Sequence, residues 1–468
     1  MSDYKKISSF FEVNAPSLGA IFRQPAIWIT LAFFATVAEG AIRKWIPGFG
    51  AGLGRIIAYC SKDLLMALGV ILLVNRSWCS SLGLEVFRKW GSVALGLIIL
   101  GGIGSIGTNL SFSGAFLTFR SMVILPFLAY LYARLSGRSF PLLGLSCLIV
   151  LFTIVNGLLS LAQNSLPSDH IINKYASEGL FIVEVAFGVR ATGTFAYITG
   201  LGTISAIGLW AGLVTISLYK KKWQLIWGVS GVLAALACAF SSISRNTVVT
   251  AFVMLVVWGL NAVQSSRIVL TTLLIGASLA SMITLLAPNL ASRFEHVAEG
   301  TLDRFDSAGD NNVQRAVGQW SEMLSALRES PLGRGIGLEQ VGGNYVSSGQ
   351  MTFTTFESQF PRIVAEMGVF GFLAFLITVA AVVLGLQTMR VGIGDPRWNL
   401  VVSITQIYVL GQCYTNVVFN HTASSFVWLT VASVFAADPA LTGSPVVKTR
   451  MYSPKKATVS GIGSHIDA

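Results

Sequence analysis

Charge is scarce along this chain. Asp, Glu, Lys and Arg make up only 11% of 468 residues while hydrophobic types reach 53%, so there is too little polar surface to clothe a water-soluble domain of this size. Histidine and cysteine are also few, with four and five copies. Cys60, Cys79, Cys147, Cys238 and Cys413 lie in or beside apolar runs or in a short basic loop, at spacings that suit neither a disulfide framework nor a metal-binding pair. Small-residue cleavage signals are missing near the start: Lys5 and Lys6 precede Pro, Gln and Glu rather than a short apolar core, which predicts an uncleaved N-terminus.

What the chain does have is apolar length. Mean hydropathy is +0.69, and 47 glycines suit helices that approach one another closely in lipid. Windows of about 20 apolar residues predict spans at 25–43, 55–74, 91–109, 112–132, 140–162, 192–218, 223–241, 246–264, 268–288, 361–387, 398–416 and 421–437. The expected fold is therefore an all-α integral membrane protein of about twelve transmembrane helices, with a large, partly helical extracytoplasmic loop. Residues 1–437 form the membrane domain, including the loop at 289–360. The Ser-, Gly-, Pro- and Lys-rich segment 438–468 is expected to be a disordered tail, since it has few large apolar residues to bury.

Basic residues give the orientation. Lys5, Lys6 and Arg23, then Arg76, Arg88 and Lys89, Arg134 and Arg138, Lys220 to Lys222, Arg267, Arg390 and Arg397 fall in every second connection, which predicts both termini on the cytoplasmic side. The net charge of +11 is spread through these short loops and makes no solvent-facing basic patch, so nucleic acid is not an expected partner.

The 289–360 connection is too long for a simple link. Within it Val313, Val317, Trp320, Leu324 and Leu327 recur at helical spacing, and Pro331 with Gly333, Gly335 and Gly337 ends the pattern. This predicts an amphipathic helix over 312–329 lying on the membrane domain. Arg315 falls about 200° round from Val313, away from the apolar stripe. GRGIG follows a helix and lacks a Lys-Ser/Thr ending, so it reads as a turn and not as a phosphate-cradling loop.

Charges inside apolar spans are costly and are usually paired or functional. Glu39, Lys62, Asp63, Arg120 and Glu366 all fall in the outer halves of their predicted spans. Two readings stand side by side: a chemical site opening outward, or structural ion pairs such as Glu39 with Arg43 and Asp63 with Arg120. A transporter with alternating access would place such groups near the midplane instead.

Four segments together resemble the bacterial O-antigen ligase and polysaccharide polymerase superfamily: RATGTFAYITGLG from Arg190, SISRNTVVTAF around Arg245, QRAVGQWSEMLSALRESPLGRGIG, and ESQFPRIVAEMGVFG. They depart from the family pattern in places. Tyr197-Ile198-Thr199 stands where a His-Pro-Asn is often found, Asn246 replaces a glycine, and Glu357 stands where a His would be, in register with Glu366 and Gly368. EGAIRKW, from Glu39 to Trp45, followed by SKDLL, is similar to one branch of the polymerase-like proteins.

The resemblance implies a glycosyltransferase of the bacterial cytoplasmic membrane, acting on polyprenyl-diphosphate-linked saccharides beside other polysaccharide assembly and export proteins. A sugar hydroxyl attacks the anomeric carbon, and the lipid diphosphate leaves. Such a reaction needs groups that hold diphosphate charge, for which arginine is suited by its planar, permanently charged fork. Arg190, Arg245 and Arg315 are the candidates, with Arg120 a fourth; Arg190 and Arg245 could equally be interfacial residues at span ends. Glu357 is the candidate general base, or else a group that orients the acceptor or caps the following helix. Glu366 and Asp63 are expected to support the site. Asp303, Asp306 and Asp310 match no calcium or paired-carboxylate pattern, and the enzyme is expected to be inverting, without metal or cofactor. Polymerisation is the first reading; ligation, or flipping of lipid-linked saccharides, are the alternatives.

Overall fold

The structure, a computed structural model, describes residues 24–49, 52–74, 81–104, 112–135, 141–174, 184–185, 188–195, 198–242, 244–262, 299, 309–335, 359–393, 395–414 and 421–437. Every predicted span except 268–288, which lies outside the described residues, falls on a helix. These are α1 (Pro25–Trp45), α2 (Gly52–Leu73), α3 (Leu82–Gly104), α4 (Phe112–Phe119) running through a π-helical turn (Arg120–Ile124) into α5 (Leu125–Leu135), and α6 (Leu142–Asn164). After them come α7 (Ile198–Leu218), α8 (Lys222–Ser241), α9 (Arg245–Ala262), α10 (Gly309–Glu329), α11 (Gln359–Ile393), α12 (Pro396–Tyr414) and α13 (His421–Ala436).

Among the described residues, six helices are long and apolar enough to cross a membrane: α1, α3, α6, α7, α8 and α11. α9 and α13 carry shorter apolar stretches. One departure from an all-α chain is a two-residue antiparallel ladder between 163 and 197, pairing Glu184 with Val189 and Val185 with Gly188. A boundary also differs: α3 starts before the predicted 91 because the helix continues through Glu85, Arg88 and Lys89, residues that lower hydropathy without breaking helix geometry.

Glycine sets how closely the helices pack. α3 and α11 run antiparallel along their length: a Cβ on Gly83 would stand 2.7 Å from the Gly385 carbonyl oxygen, and one on Gly101 would stand 3.3 Å from that of Met367. The α7–α8 hairpin repeats the arrangement, with Gly212 and Gly228 each facing the other's carbonyl. Such contacts let backbones approach where larger residues would hold them apart. α7 is the centre of the bundle; its Trp210 is fully buried and donates Nε1–H to Thr405 Oγ1 on α12 at 2.9 Å. Buried hydroxyls such as Thr36, Thr153 and Thr215 donate to the carbonyl four residues back, so they need no other partner in an apolar interior.

Successive rods alternate in direction. Lys44 at the end of α1 reaches Thr192 and Gly193, Ala191 N–H bonds the Ser241 carbonyl at the end of α8, and Thr118 on α4 meets Glu366 near the start of α11. These contacts define one end of the bundle, here called the upper end. Arg88, Arg134, Lys220 to Lys222, Arg390 and Arg397 collect at the other; Arg397, for example, lies over the Tyr219 ring.

Replacing Gly385 by Leu is expected to force α11 off α3, at about 1–3 kcal/mol for overpacking. The thermal midpoint in detergent should fall by several degrees, read by loss of monodisperse protein on heating.

Candidate functional site

Two polar assemblies occupy the upper end. The first holds the RATGTF segment. Gln163 on α6 accepts Thr192 N–H (3.0 Å) and Gly193 N–H (2.7 Å) through Oε1, and donates from Nε2 to the Ile172 and Gly193 carbonyls at 2.7 and 3.3 Å. Two turns below, Asn156 Oδ1 accepts both the Thr194 N–H and its hydroxyl. Asn164 Nδ2 donates to the Val189 carbonyl at 2.9 Å, and Asn173 Nδ2 closes the preceding turn on the carbonyls of Gln163, Leu166 and Pro167. Gly193 has φ +58°, and a Cβ there would stand 2.5 Å from Asn156 Oδ1, so glycine is required. The irregular backbone of 189–195 is thus satisfied by amide side chains, as a non-helical stretch at a membrane surface must be.

This assembly carries Arg190 to the α8–α9 turn, where its Nε donates to the Ser242 carbonyl at 3.3 Å. Arg245, three residues on, is the first residue of α9. The first and second sequence motifs therefore meet at one corner of the bundle, although they are more than fifty residues apart. Of the Arg245 side chain the described residues give nothing.

The second assembly is a chain of buried ion pairs. Glu39 Oε1 accepts Arg43 Nη1 at 3.1 Å, and its other oxygen accepts Lys62 Nζ from α2. Next to Lys62, Asp63 receives Arg120 in a bidentate fork: Nε to Oδ2 at 2.6 Å and Nη2 to Oδ1 at 2.7 Å, with Nη2 also donating to Ser425 Oγ on α13 at 3.0 Å. Glu366 accepts Arg362 Nε at 3.2 Å and the Thr118 hydroxyl at 3.4 Å. Arg120, Lys62, Glu39, Arg362 and Glu366 are all buried; Asp63 is partly open. Both ion pairs offered by the sequence, Glu39 with Arg43 and Asp63 with Arg120, are formed.

Arg120 opens the π-helical turn, where Arg120, Ser121 and Met122 are buried in succession and the Ser121 carbonyl accepts Trp428 Nε1–H at 3.2 Å. An α-helix turning 100° per residue would send one of three consecutive side chains outward. The wider turn lets all three face protein, and such turns recur at functional sites.

A third feature joins the last two motifs. α11 breaks at Gly368 (φ +60°, ψ −151°), and the Pro331–Gly335 turn docks its backbone into the break. Arg334 N–H bonds the Ala365 carbonyl at 2.8 Å, Gly335 N–H the Glu366 carbonyl at 3.2 Å, and Val369 N–H the Pro331 carbonyl at 3.1 Å. Gly333 (φ +98°) and Gly368 lie back to back; a Cβ on either would fall 2.3 Å or less from main-chain oxygen. Glycine is demanded here twice over, by conformation and by space. Arg334 also pairs with Glu329 at 2.8 Å across the end of α10, and the Ser325 hydroxyl together with that guanidinium holds the Glu329 carboxyl below its usual range.

α10 is helical over Gly309–Glu329, as predicted for 312–329, but its packed face is not the predicted one. Met323 and Ala326 are buried, Ala326 against Ala365, whereas Trp320 and Leu324 of the apolar stripe are about half exposed. The docked turn fixes the helix's rotation, and small Ala326 allows the closest approach to α11. Arg315 lies on α10, eleven residues before Ala326.

Glu357 lies outside the described residues, as do His296, Asp303 and Asp306. No group of three His, Cys, Asp or Glu stands together to hold a metal among the described residues. Sequence reading missed Arg362, although its i,i+4 spacing to Glu366 was available as a signal. It also missed Gln163 and Asn156, whose only signal was an amide in an otherwise apolar run, and Asn173, in the polar connection that follows.

Apolar helices of spanning length, short irregular polar backbone at one end and a buried ionic layer beneath it define a polytopic membrane protein. Residues 229–376 match the family model described as O-antigen ligase, in line with the O-antigen ligase and polymerase superfamily. The match runs from mid-α8 to mid-α11 and takes in Arg245, Arg315, Glu357 and the Gly333–Gly368 clasp; Arg190, Arg120 and Asp63 precede it. No curated protein matches the chain.

Asp63→Ala is expected to leave Arg120 charged and buried, at about 3–5 kcal/mol, while Asp63→Ala with Arg120→Met should recover much of the loss. Thermal unfolding of the two variants in detergent measures the difference.

Proposed function

We propose that this protein is a membrane glycosyltransferase that polymerises polyprenyl-diphosphate-linked oligosaccharide units on the outer face of a bacterial cytoplasmic membrane, with the upper end of the bundle outward. The observation that carries the reading is the O-antigen ligase match over 229–376, which takes in Arg245, Arg315 and Glu357; Arg190, which bonds the Ser242 carbonyl in the α8–α9 turn, and the α10 clasp beside Glu366 and Gly368 support it. The buried layer supports an anionic ligand. It holds three carboxylates (Glu39, Asp63, Glu366) against four basic groups (Arg43, Lys62, Arg120, Arg362), so it adds positive potential below the open face.

In this mechanism Arg190, Arg245 and Arg315 hold the diphosphate and stabilise the charge that grows on it as the glycosidic C–O bond breaks. Arg120 contributes field from below while its fork stays on Asp63, and Glu366 with Arg362 sets the junction of α11. Glu357 takes the proton of the acceptor hydroxyl as that oxygen bonds the anomeric carbon. One displacement inverts the anomeric centre, and no metal is required.

Ligation to a different acceptor is the second reading, favoured by the description of the matched family. The acceptor distinguishes the two: a growing chain of the same repeat for polymerisation, another glycolipid for ligation.

Purified protein supplied with lipid-diphosphate oligosaccharide from its own pathway is expected to lengthen it. Arg245→Ala, Arg315→Ala and Glu357→Gln should each lower the rate by at least about a hundredfold with expression and thermal midpoint retained. Transbilayer movement of the lipid without chain growth would instead indicate a flippase.

Chain growth should persist in excess chelator. Loss in chelator with recovery on adding magnesium would overturn the metal-independent mechanism.

A further inference from the structure

The apolar stripe of α10 does not face the bundle. Trp320 and Leu324 are each 48% exposed and Leu332, in the docked turn, is 49% exposed, whereas Met323 and Ala326 on the neighbouring face are 7% and 1% exposed. Water would not favour such a surface, and what covers it follows from depth. Gly368, where the turn docks, stands 22 residues above Arg390, the basic residue that ends the apolar stretch of α11. At 1.5 Å per residue that is about 33 Å, close to the thickness of a hydrocarbon core. With Arg390 at the lower boundary, the turn and the end of α10 lie at the upper one.

The surface beside the clasp carries on the pattern. Val369, bonded to Pro331, is exposed, and so are Leu373 and Leu376 further down α11, as residues facing lipid tails would be. Arg328, one turn past Leu324 and exposed, completes a Trp-Leu-Arg edge of the kind that settles where acyl chains meet headgroups.

We infer that α10 is an interfacial helix whose Trp320–Leu324 edge, with Leu332, inserts into the upper leaflet of the bilayer, while its Met323–Ala326 face grips α11. The helix then rides at headgroup depth, held on one side by protein and on the other by lipid. The inference needs only that the apolar helices sit in a bilayer; it stands or falls separately from the transferase reading.

The test uses the full chain in phospholipid vesicles, its five cysteines replaced, with spin labels at Leu324→Cys or Leu332→Cys and at Gly318→Cys. Gly318 is on the far face of α10, with open space around it. The ratio of oxygen to nickel-chelate accessibility is expected to be several-fold higher at 324 and 332 than at 318. In the cysteine-intact protein, brominated lipid should quench a fraction of tryptophan fluorescence that disappears in Trp320→Phe. Equal ratios at all three positions would overturn the inference, placing the stripe in water. So would strong immobilisation with spin–spin broadening at 324, which would assign the surface to a second copy of the chain.

Discussion

A charged group buried among apolar helices is tolerable only when an opposite charge and enough hydrogen bonds travel with it. In this protein that requirement is met by a relay across five helices and a π-helical turn. Glu39 is shared between Arg43 and Lys62, the adjacent Asp63 grips Arg120, Arg120 reaches Ser425, and Thr118 on the neighbouring turn meets Glu366, which pairs with Arg362. Beside the i,i+4 pairs within α1 and α11, the bonds of Lys62 to Glu39, Arg120 to Asp63 and Ser425, and Thr118 to Glu366 join segments distant in sequence, so the relay ties α1, α2, α4, α11 and α13 together. Helix packing in lipid lacks a hydrophobic drive of its own, which leaves these pairs and the glycine contacts to decide which helices are neighbours.

Above this layer the backbone leaves regular helix, and the way it does so sets up the candidate site. Segment 189–195 is held by amide side chains from α6, and the 331–335 turn is held by the carbonyls and the N–H that the break at Gly368 sets free. Both devices satisfy main-chain groups inside the protein without calling on water. Both also carry an arginine-bearing segment to a fixed place: Arg190 to the α8–α9 corner, and the helix of Arg315 to the shoulder of α11. A bulky residue at Gly193, Gly333 or Gly368 would remove the geometry before it touched any chemistry.

Much of this was legible in advance. Apolar windows found the helices because hydropathy is summed over a local stretch, and the placement of basic loops found which ends lie together. Glu39 with Arg43 could be read from i,i+4 spacing, and Asp63 with Arg120 from the scarcity of other partners at that depth. The bond from Lys62 to Glu39, the amides around Thr192 and the docking of Gly333 on Gly368 could not be read. Nothing local to those residues says which helix stands opposite. The rotation of α10 was misjudged for the same reason: an apolar stripe marks a face that avoids water, and both protein and lipid answer that description.

The sequence by itself determined that the chain is a bundle of apolar helices with a polar face at one end and, through four short motifs, which residues are candidates for its chemistry. Those properties are carried by composition and spacing along a single strand of text. Tertiary structure decided which charges neutralise one another, why glycine is needed at the clasp, and which side of α10 meets protein. Such choices depend on distances between segments that sequence separates by tens to hundreds of residues, and only a packed fold brings them within the few ångströms over which hydrogen bonds and ion pairs act.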